Sequence, residues 1–196
     1  MASEDLFQAY IERTLPKSAE GLEEEDLVEM VKKCETKAAL TTIYYLSRDI
    51  TVRVKLIKGG AIPLVLESLA EADKRIYERG LAAMDLLCSC SEGRAAAYEH
   101  ALTVPLVVKK ILRVSTLATD FAISILWTLC RHSSNGSAML DALQSGAFQK
   151  ILVVIQLGCS EKTRMRATQL LKLFSHYRDE WECIETVDFK DVKRSF

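Results

Sequence analysis

Two short pairs of cysteine and histidine residues are the first in the sequence whose types and spacing could do chemistry. They are Cys88-Ser89-Cys90 and Cys130-Arg131-His132, and thiolate and imidazole groups are the ligands that zinc prefers. Residues two positions apart on a helix point to nearly opposite faces, so neither pair can converge on one metal ion if it lies on a helix. We therefore expect no metal site, and we expect Cys88 and Cys130 to be small residues of the core.

The three histidines do not indicate a catalytic site. His100 lies at a predicted helix boundary, while His132 and His176 lie at equivalent offsets just past two long predicted helices. Equivalent offsets indicate a shared structural position, which is not typical of a unique catalytic group. The sequence also contains no P-loop, dinucleotide-binding fingerprint or Gly-x-Ser-x-Gly elbow. We expect no catalytic residue and no cofactor, so the function should depend on a binding surface.

The elements that must position these residues repeat along the chain. The segment 58–69 recurs in weaker form at 100–108 and 145–153, and Pro63, Pro105 and Gln149 within these segments lie 42 and 44 residues apart. A second landmark keeps the same two spacings: Leu87-Cys88, Leu129-Cys130 and Leu173-Phe174. A period of about 40–47 residues with only helical segments inside it is typical of armadillo and HEAT arrays. The sequence predicts an all-α, right-handed armadillo-repeat solenoid of about four units.

Each complete unit is predicted to contain a short helix, a second helix that begins near a proline or its equivalent, and a long last helix. The predicted helices are 49–58, one that starts at Ala61, 77–90, 93–100, 105–114, 119–131, 137–144, 147–157 and 161–177. Helices over 23–34 and 37–46 would form an incomplete first unit. We expect a helix and linker over 1–20, which either caps the array or docks on another protein, then a repeat domain over 21–182. Residues 183–196 lack helical periodicity and are expected to be a tail.

In such an array the last helices of successive units line the concave side. Trp127 lies just outside the apolar stripe of its helix and should mark the border of that side. Its face and the equivalent positions of the neighbouring units define a predicted partner-binding groove: Glu78, Asp85, Ser89, Asp120, Ser124, Trp127, Arg131 and Arg164. Tryptophan and arginine dominate binding hot spots, so Trp127 and Arg131 are the strongest candidates. The alternative is that Trp127 is buried between repeats while Arg131 is simply solvated.

The overall composition limits the classes of partner. The chain has 196 residues, 49% of them hydrophobic, and its 26 basic and 27 acidic residues nearly cancel. Without a basic stripe, nucleic acid is not an expected partner. The first 20 residues lack a signal-peptide profile, and no apolar run approaches the roughly 20 residues of a membrane span. We expect a cytoplasmic protein with free thiols, with the nucleus as a second possible compartment.

Several stretches occur in an order that is specific to one protein family. Gly60-Ala61-Ile62-Pro63-Leu64-Val65 matches the armadillo signature, and the stretches 86–95, 109–115, 158–163 and 167–173 follow it. From about Lys37 onward the chain resembles the C-terminal armadillo region of plant U-box E3 ubiquitin ligases. In that family a separate U-box recruits the ubiquitin-charged E2, while the armadillo repeats bind substrates or regulators. The resemblance implies a protein-interaction module in ubiquitination, whose partner is a protein substrate or regulator.

The sequence departs from known armadillo patterns in two ways. It contains no U-box, so we expect an E2 to be a partner only through a U-box that is not present here. Peptide-binding armadillo proteins repeat a tryptophan with an asparagine four residues later, whereas the matching pairs here are Asp85/Ser89, Trp127/Arg131 and Leu171/Ser175. Binding of an extended peptide by an asparagine ladder is therefore not expected. Two alternatives stay open: a ligase that uses a U-box supplied elsewhere, and a ubiquitin-independent adaptor or scaffold.

Overall fold

The computed structural model describes residues 36–71, 74–133 and 136–192. Within these ranges every regular element is an α-helix, which confirms the all-α fold class. The ten helices are α1 (Thr36–Leu46), α2 (Ile50–Lys58), α3 (Ala61–Glu71), α4 (Lys74–Leu87), α5 (Ser91–Glu99), α6 (Thr103–Lys110), α7 (Thr116–His132), α8 (Ser137–Gln144), α9 (Ala147–Leu157) and α10 (Glu161–Val192). The helices predicted within 1–20 and over 23–34 lie outside the described residues.

The helix starts follow local chemistry that the sequence makes visible. Asp49 caps α2, and its Oδ1 accepts hydrogen bonds from the backbone N–H of Thr51 at 2.8 Å and of Val52 at 3.1 Å. Ser115 caps α7 in the same way by accepting from Ala118 N–H at 3.1 Å. These bonds satisfy N–H groups that have no partner inside the first turn. The cap explains why α7 begins at Thr116, three residues before its predicted start.

Two other helices end earlier than predicted. α4 ends at Leu87 instead of residue 90, and α6 ends at Lys110 instead of residue 114. Past α6 the backbone tightens, because Ile111 N–H bonds to Val108 C=O and Leu112 takes a left-handed φ of 63°. Gly60, after α2, takes a φ of 90°, which glycine adopts without the steric penalty of a side chain. Here the predicted glycine stop is confirmed.

The described chain divides into two compact units at Thr103/Val104. In the first unit, α4 packs against α1 and α3, and α2 packs against α3 and α5. Large side chains that are fully buried fill the spaces between these helices: Leu40, Ile43, Leu56, Ile62, Leu69, Leu81, Met84 and Leu87. Cys88 is also fully buried, which confirms its prediction as a core residue.

One close approach in the first unit requires a glycine. Gly93 lies in the first turn of α5, and a Cβ added to it would lie 1.8 Å from the carbonyl oxygen of Leu87. Because that oxygen belongs to the backbone, it cannot move away as a side chain could. Gly93 therefore sets how closely α5 follows the end of α4.

The second unit is built around α7 and α10. α7 packs against α10 and α8, and α9 packs against α8 and α10. Its core includes Ile111, Ile123, Leu126, Leu129, Ile151, Leu170 and Phe174. Cys130 is 2% exposed, so Cys88, Cys130 and Phe174, which share one repeat register in the sequence, are all core residues.

α10 is longer than the sequence pattern predicts. The predicted helix stops at residue 177, whereas the observed helix continues to Val192. The segment beyond Trp181, which lacks helical periodicity in the sequence, is thus helical as far as Val192, and the description of residues 183–196 as a tail stays a prediction. No glycine or proline interrupts 161–192, and glutamate, lysine and arginine favour helix even where no apolar stripe exists. Local propensity, which apolar periodicity does not measure, accounts for the difference.

Candidate functional site

Four predicted groove residues lie on one face of α7. They are Asp120, Ser124, Trp127 and Arg131, spaced so that each lies about one turn beyond the last. Their exposure differs along the helix: Asp120 and Trp127 are half-buried, Ser124 is buried, and Arg131 is exposed. Trp127 therefore lies at the border of the core, as its position outside the apolar stripe predicts.

Two guanidinium groups lie against the indole of Trp127. The Cζ atom of Arg131 is 4.8 Å from the ring centroid, and that of Arg166, on α10, is 5.6 Å away. Both distances are within the range in which an aromatic quadrupole attracts a cation. Arg166 is also held from α7 itself, because its Nη1 donates to Ser124 Oγ at 2.5 Å. Ser124 thus fixes a cation beside the tryptophan.

A surface depression of about 390 Å³ opens beside this cluster. Its lining comes from α7 and α10: Trp127, Arg131, Gln169, Lys172, Leu173 and His176. Apolar surface from the indole and Leu173 lies next to the charged ends of Arg131 and Lys172, both of which are exposed. We call the lining residues together with Arg166 the Trp127 cluster. It combines an apolar floor with cationic groups, a combination that suits a protein partner.

Asp120 belongs to a different cavity of the second unit. This cavity has a volume of about 370 Å³ and lies where the turn before α7 meets the turn before α10. There Asp120 Oδ1 accepts from Thr163 Oγ1 at 2.7 Å, and Ser160 Oγ lies 2.9 Å from the same hydroxyl. Burial, and then the charge of Asp120, raise the pKa of the nearby Cys159 thiol. Asp120 is engaged in this network, apart from the Trp127 cluster.

Arg164 does not join the Trp127 cluster either. It is exposed in the first turn of α10, and its Nη2 donates to the carboxylate of Glu161 one turn earlier. The residue that reaches α7 is Arg166. The sequence prediction chose Arg164 by adding 44 residues to Asp120, whereas Arg166 follows Ser124 by 42 residues. The landmarks of these two units lie 44 residues apart, so the repeat spacing gave no signal for Arg166.

In the first unit, the three remaining predicted groove residues lie at α4. Glu78 and Asp85 are half-buried on the helix, and Ser89 is exposed in the turn after it. Arg53 Nη1 donates to Ser89 Oγ at 2.6 Å, and Arg94 Nη1 donates to the Ser89 carbonyl oxygen at 3.1 Å. The predicted groove of eight residues stays a prediction as a whole. Within the second unit, Ser124, Trp127 and Arg131 come together, and Asp120 and Arg164 lie elsewhere.

The cysteines differ in burial, and burial determines their chemistry. Desolvation raises the pKa of the Cys130 thiol to about 12, and it raises the pKa of Cys88 further. A thiol that stays protonated at neutral pH is a poor nucleophile and a poor metal ligand. Among the described side chains, no three Cys, His, Asp or Glu residues are grouped closely enough to hold a metal ion.

Helix length and composition also bear on membrane association. No single helix within the described ranges is long and apolar enough to cross a membrane. The pair α8 and α9 passes this test only when taken together, and the two helices meet at an angle of 72°. Several of its apolar residues, including Ala142, Ile151 and Val154, are buried in the second unit.

The helical repeats of this chain share one core register, while their other positions vary. This arrangement is that of an armadillo-repeat protein. The sequence model of the plant U-box protein ARM repeat region matches residues 17–194. The chain belongs to this family. The recognition made from the sequence, and the armadillo fold that it implied, are confirmed.

The curated relatives of the chain are plant U-box proteins. U-box domain-containing protein 21 of Arabidopsis thaliana is 33% identical over 169 residues, which are 85% of this chain and 39% of that protein. U-box domain-containing protein 26 is 39% identical over 160 residues, 81% of this chain and 37% of the relative. E3 ubiquitin-protein ligase PUB22 is 34% identical over 136 residues, 67% and 31% of the two chains. The chain thus spans about a third of the length of these relatives. Membership of this family supports a role as a protein-interaction module.

Proposed function

We propose that this chain is the substrate- or regulator-binding armadillo module of a plant U-box type E3 ubiquitin ligase. The observation on which the proposal rests is the Trp127 cluster, because it brings a half-buried tryptophan and two arginines together in the second unit. Tryptophan and arginine at a partly desolvated site contribute most to protein binding. The names of the relatives, U-box proteins and E3 ubiquitin-protein ligases, supply the ubiquitin context.

The proposed role is to hold a target, and the transfer chemistry would come from an E2 bound at a U-box. The burial of Cys88 and Cys130 agrees with this division, because burial raises the pKa of both thiols and disfavours them as ubiquitin acceptors. We place this activity in the cytoplasm, with the nucleus as the second compartment. A fluorescent fusion expressed in plant cells tests that placement, and a signal confined to the secretory pathway would contradict it.

Partner capture from plant extract, followed by purification of the captured protein, tests the binding site. We expect Trp127→Ala and Arg131→Glu to remove a partner that the unmodified chain retains. Lys109→Glu is the matched control, because Lys109 is an exposed cation of the same unit outside the Trp127 cluster. Trp127→Phe serves as a second variant if Trp127→Ala lowers the amount of folded protein. Direct binding of the purified partner with equal affinity to wild type and Arg131→Glu would place the binding surface elsewhere.

Reconstituted ubiquitination separates the proposed role from its alternatives. The chain alone, mixed with E1, E2 and ubiquitin, should form no ubiquitin conjugates. Joined to the U-box of a relative, it should promote ubiquitination of the captured partner, and Arg131→Glu should reduce it. Conjugates formed by the chain alone would indicate a ligase in its own right. A partner that is bound but never modified would favour a ubiquitin-independent adaptor.

A further inference from the structure

We propose that the Trp127 cluster binds a short acidic segment of its protein partner, with glutamate or aspartate carboxylates at Arg131 and Lys172 and an apolar side chain against Trp127 and Leu173. This inference rests on the proposed function, because it names the kind of segment that the same site would bind. It follows from the charge, shape and preorganisation of the cluster.

Charge is the first argument. The depression is lined by Arg131 and Lys172, Arg166 lies on its tryptophan, and no acidic side chain is part of the lining. Two acidic residues of α7 and α10 have side chains that the structure describes, and both are engaged elsewhere: Asp120 accepts from Thr163, and Glu161 pairs with Arg164. The chain as a whole has a formal net charge of −1, so this is a local concentration of positive charge. Complementary charge favours an acidic partner and disfavours a basic one.

Preorganisation is the second argument. The guanidinium of Arg166 is held by two contacts: it lies over the indole of Trp127, and its Nη1 donates to Ser124 Oγ. Arg131 lies on the same ring and is exposed to solvent. A guanidinium has five N–H donors in a planar fork that matches a carboxylate, and stacking on an aromatic ring leaves the donors at its edge accessible. Because the arginines are already placed, a bound carboxylate would immobilise less side-chain freedom.

The position of the lining within helices excludes one kind of phosphate site, a cradle of backbone N–H groups. Trp127 and Arg131 lie within α7, and Gln169 to His176 lie within α10, where backbone N–H groups are bonded to the preceding turn. The depression therefore offers side-chain donors without the ring of backbone N–H groups that a phosphate cradle uses. Its volume of about 390 Å³ accommodates one or two side chains of a segment that passes over the surface.

Intrinsic fluorescence gives a direct assay of this proposal. The chain contains two tryptophans, so Trp181→Phe leaves Trp127 as the only one. The probe is the capped peptide Glu-Glu-Leu-Glu-Glu, and the matched probe is Gln-Gln-Leu-Gln-Gln. We expect saturable change of Trp127 fluorescence with the glutamate peptide, about tenfold weaker binding of the glutamine peptide, and weakening with added salt. Arg131→Glu should weaken the glutamate peptide by about tenfold or more, while Lys109→Glu should change it by less than about twofold.

Charge exchange provides the sharpest outcome. The double variant Arg131→Glu with Lys172→Glu should prefer the corresponding lysine peptide, since the same positions would then attract the opposite charge. Equal binding of the glutamate and glutamine peptides to the unmodified chain would overturn the proposal. A phosphoserine peptide that binds about tenfold tighter than the glutamate peptide would overturn it in favour of a phosphorylated partner. Tighter binding of a single-stranded oligonucleotide would likewise overturn it.

Failure of this inference can be told apart from failure of the proposed function. If Trp127→Ala and Arg131→Glu abolish partner capture while the glutamate peptide does not bind, the site is a binding site but its ligand is not acidic. If the peptide binds as expected while both variants retain the partner, the acidic specificity stands and the proposed docking of the substrate or regulator at this cluster is wrong.

Discussion

The ends of α4 and α7 occupy equivalent places in two repeats, and they share a core but not a surface. Met84, Leu87 and Cys88 of the first unit are fully buried, and so are their counterparts in the second unit, Leu126, Leu129 and Cys130. The residues outside this core register differ. Asp85 and Ser89 correspond in register to Trp127 and Arg131, and Ala82 corresponds to Ser124. The repeat therefore conserves what the helices need for packing, and it leaves the other positions to acquire separate chemistry.

The difference also shows what each surface does for its own unit. Ser89 accepts a hydrogen bond from Arg53 of α2, which ties the turn after α4 to a neighbouring helix. Ser124 accepts from Arg166 of α10, and that arginine lies on Trp127. In both units an arginine bonds to a serine, but only the bond from Arg166 places a cation on an aromatic ring among the described residues. A binding site in the second unit can thus arise from a substitution pattern without a change of fold.

Truncation of matched core side chains tests whether equivalent positions of the two repeats contribute equally to the free energy of unfolding. We expect Met84→Ala and Leu126→Ala each to lower the free energy of unfolding by about 3 kcal/mol, because both side chains are fully buried and a cavity would remain. Urea denaturation followed by circular dichroism measures the change. Losses that differ between the two variants by more than about 2 kcal/mol would contradict the equivalence of the two cores.

Removal of matched surface side chains should give unequal results. Trp127→Ala is expected to cost about 2 kcal/mol, since the half-buried indole and its contacts with two arginines are lost. Asp85→Ala, at the equivalent position, should cost less, because an aspartate buries less apolar surface than a tryptophan. Thermal and urea unfolding of both variants measure the costs. A Trp127→Ala variant as stable as wild type would mean that the tryptophan contributes to binding alone.

The buried free thiols of Cys88 and Cys130 predict a stability loss at alkaline pH. Desolvation raises the pKa of Cys130 from 9.0 to about 12 in the folded state. A raised folded pKa gives stability that is complete below pH 9 and is lost as the pH rises toward 12, because the unfolded thiol releases its proton first. We expect Cys130→Ala to reduce the fall in unfolding free energy between pH 8 and pH 10 by about 1 kcal/mol.

Cys88 offers the matched measurement for this pH effect. Burial also raises its pKa, with a smaller contribution from Asp85. Cys88→Ala should therefore flatten the same pH profile by a similar amount. Cys90→Ala is the control, since Cys90 is only half-buried. A pH profile unchanged in both buried variants would show that lysine and tyrosine titration alone causes the alkaline loss.

Much of this fold could be predicted from the sequence because the same pattern of buried residues occurs in successive repeats. The register of Cys88, Cys130 and Phe174 identified three core residues, and glycine and proline positions located most helices. The sequence predicts helix ends less well where one residue determines them. Examples are the cap at Ser115 and the positive φ of Leu112. The extension of α10 depends on local propensity instead of apolar periodicity.

The candidate site was only partly predictable for a different reason. Trp127 and Arg131 follow from residue type and position on one helix, so the sequence indicates them. Arg166 comes from another helix, and which arginine of α10 faces α7 depends on how the two helices pack: Arg166 bonds to Ser124, while Arg164 bonds to Glu161 of its own helix. A pairing between helices is a tertiary fact, and small errors in register change which side chain reaches the neighbour.

A double-mutant cycle on Ser124 and Arg166 tests this tertiary pairing, which is the smallest of the expected effects. Ser124 is 3% exposed and accepts from Arg166 Nη1 at 2.5 Å, whereas the equivalent Ala82 in the first unit has no hydroxyl. Ser124→Ala and Arg166→Met should each destabilise the protein, with a coupling energy of about 0.5–1 kcal/mol when combined, because Arg166 is partly exposed to solvent. In the Trp181→Phe background, Ser124→Ala should also shift Trp127 emission as Arg166 loses its anchor. Strictly additive losses with unchanged emission would mean that the indole alone positions Arg166.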